Sequence, residues 1–313
     1  MEQNNNLKRN TPRDLFLHFF VIITLYWSTI SFITLIWQYI NYFFPDVLEY
    51  NTYYTFSGPV RFALSSLIVI FPLFLSLSFY LNKIYIKEPE ARDSKTRKWL
   101  IYFTLFITGI VMTGDLVVVV NNFLSGEITT RFILKALTLF LISGTIFWYY
   151  LNDIKNKISK KFNKYFSIII ILIILISIIG GFVIFGSPSL ARKIQFDERK
   201  ISDLRNIQYQ ILNYWQTKKD LPPNLEALKD PFGGYDLPKD PQTQNNYEYN
   251  IKDKDNLVFE LCAVFNTETP KFQKGKIEIP YLRPMMISYN WEHSSGRFCF
   301  ERKIDKELYA PKN

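Results

Sequence analysis

The side chains able to do nucleophilic, acid–base or metal chemistry are few and far apart in this sequence. His18 and His293 are its two histidines and Cys262 and Cys299 its two cysteines, in 313 residues. It has no H-E-x-x-H, no paired C-x-x-C, no phosphate-binding glycine loop and no G-x-S-x-G elbow. Each of those chemistries needs its residue types at fixed spacing so that they converge on one reacting atom. No catalytic residue, metal site or cofactor is therefore assigned, and the chain reads as not an enzyme. His293-Ser294-Ser295-Gly296 reads as a hairpin turn rather than a nucleophile.

What remains is one acid and one base in apolar surroundings. Asp115 stands in Thr113-Gly114-Asp115-Leu116, inside a run long enough to cross a bilayer, where a carboxylate facing lipid costs several kcal/mol. Lys135 stands one turn into the next apolar run, at a depth differing by only ~3 Å when counted from Asn121 and Arg131. The expectation is an Asp115–Lys135 ion pair inside a helix bundle. A second reading keeps Asp115 as part of a proton or cation path.

Those surroundings follow from five apolar stretches, Leu15–Phe44, Val60–Leu81, Trp99–Leu124, Phe132–Leu151 and Tyr165–Phe185. Each supplies the ~20 helical residues that a hydrocarbon core of about 30 Å requires. Residues 1–186 hold 17 Lys/Arg against 10 Asp/Glu, and residues 187–313 hold 20 against 18. The basic excess thus belongs to the apolar half, which removes nucleic acid as a partner and leaves the lipid bilayer. Three basic residues precede the first stretch, six lie in 83–98 and five in 152–164, while the alternate loops carry almost none. By the positive-inside bias the N-terminus is cytoplasmic, the first stretch is an uncleaved signal anchor, and the C-terminal part is held outside the cytoplasmic membrane. In the loop between stretches three and four, Ser125-Gly126-Glu127 makes a tight turn, Thr129 or Thr130 caps the next helix, and Arg131 follows.

Arg61-Phe62-Ala63-Leu64, Arg97-Lys98-Trp99-Leu100-Ile101-Tyr102, Gly114-Asp115-Leu116, the run from Leu124 to Lys135, and Tyr149-Tyr150-Leu151-Asn152-Asp153 resemble a bacterial membrane family, domain of unknown function 5671. The resemblance spans residues 12–155 and implies a four-span module. It carries no known chemistry to transfer. The division expected is a cytoplasmic N-terminus (1–14), that module (15–155), a fifth transmembrane helix (165–186) and an extracytoplasmic α+β domain (187–313).

Past Gly186-Ser187-Pro188, a break, an N-cap and a first-turn proline, apolar residues from Ile194 to Trp215 recur at three- and four-residue steps. Leu221-Pro222-Pro223 stops that helix, and a short helix over 224–229 precedes a loop rich in Asp, Gly and Pro. Strands are expected at Tyr247–Ile251, Leu257–Phe265, Met285–Trp291 and Gly296–Lys303, giving a long helix on an antiparallel sheet. Cys262 alternates with Val258 and Glu260, and Cys299 with Arg297 and Glu301, so both cysteines project from one polar sheet face. A disulfide is the expectation and two free buried thiols the alternative.

The order from the fifth helix to this sheet, with Leu221-Pro222 through Leu228 and Asp240-Pro241-Gln242-Thr243 ahead of Tyr247-Glu248-Tyr249, resembles the heads of type IV pilins and the major pseudopilin of type II secretion. The fifth stretch departs from them in having no acidic residue. The resemblance implies a binding or assembly domain with an envelope, secretion or pilus-type protein as partner. It also raises calcium at Asp230, Asp236, Asp240, Asp253 and Asp255, although their spacing matches no calcium loop. The function expected is a polytopic membrane protein displaying an extracytoplasmic pilin-like domain for binding, assembly or sensing. The alternative is ion or solute translocation through Asp115 and Lys135.

Overall fold

The computed structural model describes residues 12–44, 53–87, 94–126, 128–230, 232–269 and 290–309. The chain divides into two compact units, Met1–Phe185 and Gly186–Asn313.

The first unit is all helical: α1 (Pro12–Phe43), α2 (Tyr53–Lys87), α3 (Lys95–Leu124), α4 (Thr130–Ile154) and α5 (Lys160–Phe185). All five are long and apolar enough to cross a membrane. They overrun the expected stretches by a turn or more at several ends, because polar and basic residues extend a helix once its apolar middle is fixed. Ser94 caps α3 by accepting from the Arg97 amide at 3.2 Å, and Thr129 caps α4 by accepting from the Phe132 amide at 3.1 Å. Between them Gly126 has φ +72°, a left-handed conformation that suits glycine in the tight turn.

Helix α1 packs against all four of its neighbours. Leu35, Ala63, Leu67 and Ile174 bring α1, α2 and α5 into one apolar cluster. Here α5 does more than follow the four-helix module: Gly181 lies against α2 so closely that a Cβ on it would stand 2.8 Å from Leu64 Cδ2. The close approach of small residues supplies the packing that helices in an apolar solvent cannot get from the hydrophobic effect.

The second unit is α+β. Ser187 caps α6 (Pro188–Lys218) through the Leu190 amide at 3.3 Å, with Pro188 in the first turn, as its sequence implies. The short helix expected over 224–229 is a single 3₁₀ turn, Leu225–Leu228, capped by Asn224. Strands β1 (Glu248–Asp253), β2 (Val258–Phe265) and β3 (Gly296–Lys303) form an antiparallel sheet in that order. The strand expected over 285–291 lies mostly outside the described residues, and Asn290 and Trp291 are not in a strand. Phe259, Leu261, Ala263 and Phe265 alternate along β2 and share one core with Leu204, Ile207, Ile211 and Trp215 of α6. Each large apolar side chain buried there contributes roughly 1.5–3 kcal/mol.

Gly181→Ile should overpack the α2–α5 contact by about 1–3 kcal/mol. In thermal denaturation of the detergent-solubilised chain its midpoint should fall by several degrees. Gly109→Ala and Gly114→Ala, where no atom lies within 4 Å of the added Cβ, should not lower it. Equal midpoints for all three variants would contradict the close packing.

Candidate functional site

The helical unit buries a set of polar side chains. Thr24, Ser28 and Ser31 of α1, Ser66 of α2, Thr104, Thr108 and Asp115 of α3 and Ser143 of α4 are all buried. The threonines satisfy themselves on their own helices: Thr104 donates to Leu100 O at 2.9 Å and Thr108 to Thr104 O at 2.8 Å. Among the described residues the Ser28 and Ser31 hydroxyls have no hydrogen-bond partner.

Asp115 is buried, at 8% exposure. The expected pair with Lys135 is not among the ion pairs of the described residues. Lys135 has partners of its own, and its backbone carbonyl accepts from Trp37 Nε1 at 3.1 Å. Counted from the helix ends at Leu124 and Thr130, the two residues differ in depth by four positions, about 6 Å, twice the offset that the sequence implied. In the hairpin, Thr129 rather than Thr130 is the cap, Arg131 Nε donates to Asn41 Oδ1 at 2.7 Å, and Glu127 lies outside the described residues.

A second polar centre joins all five helices at the other end of the bundle. His18 Nε2 and Tyr85 Oη share a hydrogen bond of 2.8 Å between α1 and α2. The Arg97 guanidinium of α3 sits over the Tyr85 ring, 5.6 Å from its centroid, and pairs with Asp153 of α4. Tyr149 Oη of α4 donates to Asn163 Oδ1 of α5 at 2.9 Å. No local pattern marks this node, since its members are spread from residue 18 to residue 163.

In the second unit the functional-looking residues form a buried lattice on α6. Lys200 is 2% exposed; its Nζ donates to Val264 O at 2.6 Å and Gln242 Oε1 at 2.8 Å and pairs with Asp240 at 3.2 Å. Asp197 accepts from the amide and Nδ2 of Asn266 and from the amide and hydroxyl of Thr267, each at 2.8 Å. Asp203 accepts from Tyr247 Oη at 2.8 Å. Burial pushes Asp240 up, but the amides of Gln242 and Thr243 and the Lys200 ammonium more than reverse this, leaving it below the usual carboxylate value. Burial dominates at Asp203 and holds it above that value, against the pull of Tyr247 and Arg199. Burial likewise lowers His293, whose ring stacks on Phe265 with centroids 3.8 Å apart. Sequence reasoning passed over Lys200. Its signal was a charge set within the apolar stripe of α6, next to Ile201 and four residues before Leu204.

Cys262 and Cys299 are direct cross-strand partners with Cα atoms 4.0 Å apart and their sulfurs at disulfide distance. A crosslink closing 37 residues is worth about 4 kcal/mol in the chain-entropy account. With Glu260 they make the one group of metal-ligand spacing among the described residues, all ligand atoms within 4.8 Å, but bonded sulfurs are not ligands. The five calcium-candidate aspartates are not drawn into such a group. Asp230 accepts from the Phe232 and Gly233 amides, Asp240 from those of Gln242 and Thr243, and Asp253 from Asn256, all as turn residues.

Residues 14–150 match the family model described as Domain of unknown function (DUF5671), just under half of the chain. No curated protein matches the chain and no solved structure does, so the pilin likeness of the second unit has no counterpart there.

Lys200→Met should cost about 3–5 kcal/mol, the penalty of leaving Asp240 buried without its cation. The stabilisation that Asp240 brings is present at neutral pH and lost as pH falls below the ordinary 3.8 through its lower folded value. In urea unfolding followed by Trp215 fluorescence, the gap between wild type and Asp240→Asn should close on that acid side. The sign is opposite at Asp203, where Asp203→Asn should cost less at pH 7 because the ionised form is already disfavoured by burial.

Proposed function

We propose that this chain is a multi-pass protein of the cytoplasmic membrane that displays a disulfide-stapled α+β head outside the cytoplasm, where it serves binding, assembly or sensing. The observation that carries the reading is the Cys262–Cys299 pair, set face to face in a sheet that follows a fifth helix long and apolar enough to span. Paired cysteines of this kind belong to oxidising compartments. The Lys/Arg bias of residues 1–186 independently puts the same side outside. The apolar faces of α3, α4 and α5, with Phe106, Val117, Leu141 and Ile176 all more than half exposed, suit lipid and not water.

The order of the head, a long helix continuing into a three-stranded antiparallel sheet, is the basis for its pilin-like role, with another envelope, secretion or pilus-type protein as partner. Phe232 fits such a contact. Its side chain is fully exposed at the tip of a turn that Asp230 holds by accepting two backbone amides, and exposed aromatic residues on fixed turns are the usual anchors of partner recognition.

In intact cells a membrane-impermeant thiol reagent should label Cys262 and Cys299 only after reduction. Labelling of neither until the membrane is broken would invert the orientation and sink the display reading.

The burial of a carboxylate, Asp115, within an apolar helix long enough to span supports a second reading, ion or solute translocation, with Lys135 near the mouth. For it, flux of a cation or protons into liposomes containing the full chain should fall at least tenfold on Asp115→Asn. Equal flux in liposomes with and without the protein would remove it.

A further inference from the structure

Six lysines at one end of the bundle have no work in the fold. Lys83 and Lys87 of α2, Lys155 and Lys157 after α4, and Lys161 and Lys164 of α5 are all exposed. None enters an ion pair or side-chain hydrogen bond among the described residues.

The polar node gathers them. Tyr85 is flanked at two residues on each side by Lys83 and Lys87, Asp153 is followed at two and four residues by Lys155 and Lys157, and Asn163 lies between Lys161 and Lys164. Because the His18, Tyr85, Arg97 and Asp153 contacts and the Tyr149–Asn163 bond tie the five helices there, lysines from two separate loops converge on one rim. Asp153 is already neutralised by Arg97. The linker over 88–93 adds Glu88, Glu90 and Asp93, but residues 154–164 hold five lysines and no acid. Just inside this rim, Tyr80, Trp99, Trp148 and Tyr165 are about half exposed or more, the placement of an aromatic belt at a membrane–water boundary. Lysines set within about two turns of such a belt, on its outer side, stand at headgroup level.

We infer that this rim, led by Lys155, Lys157, Lys161 and Lys164, is a binding surface for the phosphate headgroups of anionic phospholipids. The inference rests on the membrane reading above and goes further, to the lipid class and the residues. The positive-inside bias alone asks only for basic residues on one side of the membrane. The node adds their gathering on one rim, through contacts between helices that orientation does not need.

The full chain, purified in detergent, would be examined by native mass spectrometry against equal amounts of phosphatidylglycerol and phosphatidylcholine. The expected result is retention of phosphatidylglycerol at least tenfold over phosphatidylcholine, falling as salt rises. The preference should drop by about fivefold in Lys161→Gln and disappear in the Lys161→Gln/Lys164→Gln pair, while Lys218→Gln in the head leaves it unchanged. Equal retention of the two lipids, or a preference indifferent to salt, overturns the inference on wild-type protein alone, whatever the variants do. Displacement of the lipid by millimolar inorganic phosphate also overturns it, by making free phosphate the ligand. Membrane insertion without headgroup preference defeats this inference and leaves the display reading intact, whereas failure to insert defeats both.

Discussion

The helical unit depends on the polar side chains of α1. Helices in an apolar medium gain nothing from excluding water between them, so close packing and hydrogen bonds must hold them. Along α1 these bonds reach every neighbour in turn: His18 to Tyr85 of α2, Tyr26 to Thr104 of α3 at 3.1 Å, Trp27 to Ser66 of α2 at 3.2 Å, Trp37 to a carbonyl of α4, and Tyr39 to the Ser177 carbonyl of α5. Asn41 closes the series by accepting from Arg131 of α4. One helix therefore sets the register of four others, and the large exposed faces of α3 and α5 follow, because those helices spend only one side on α1.

The head solves a different problem with the same currency of buried polar contacts. Its α6 and sheet share one apolar core, and Lys200, Asp197 and Asp203 are not needed for that. Their contribution is to fix which loops lie on the helix: Lys200 takes the Asp240–Gln242 turn, Asp203 takes Tyr247, and Asp197 takes the segment just after β2. A buried charge adds little net stability but penalises any packing that leaves it unmatched. The Asp240-Pro241-Gln242-Thr243 run thus becomes legible as a docking loop for α6.

Much of this was readable from residue order. The five apolar stretches, the amphipathic α6, three of the four strands and the cysteine pairing all rest on local periodicity, which fixes where a side chain points relative to its neighbours. Alternation alone put Cys262 and Cys299 on one face, and the antiparallel register then made them opposite. What periodicity cannot carry is depth and partnership between distant helices. Counting from Asn121 and Arg131 instead of the helix ends brings Asp115 and Lys135 to nearly one depth, and the node of His18, Tyr85, Arg97 and Asp153 links positions up to 135 apart. Lys200 was hidden for another reason: a charge on an amphipathic helix is usually solvated, and only its place within the apolar stripe marked it as buried.

The two ends of the bundle are built to different rules, and the difference bears on where function lies. At the hairpin end separate bonds run between α1 and its neighbours, Trp37 to the Lys135 carbonyl, Tyr39 to the Ser177 carbonyl and Arg131 to Asn41. At the opposite end titratable and aromatic groups from all five helices meet. Asp115, nine residues from the hairpin end of α3, is buried away from that node. A carboxylate turned toward lipid costs several kcal/mol. In a membrane, rotation of α3 that carried Asp115 outward would therefore be opposed, and one buried carboxylate fixes which face of α3 looks into the bundle.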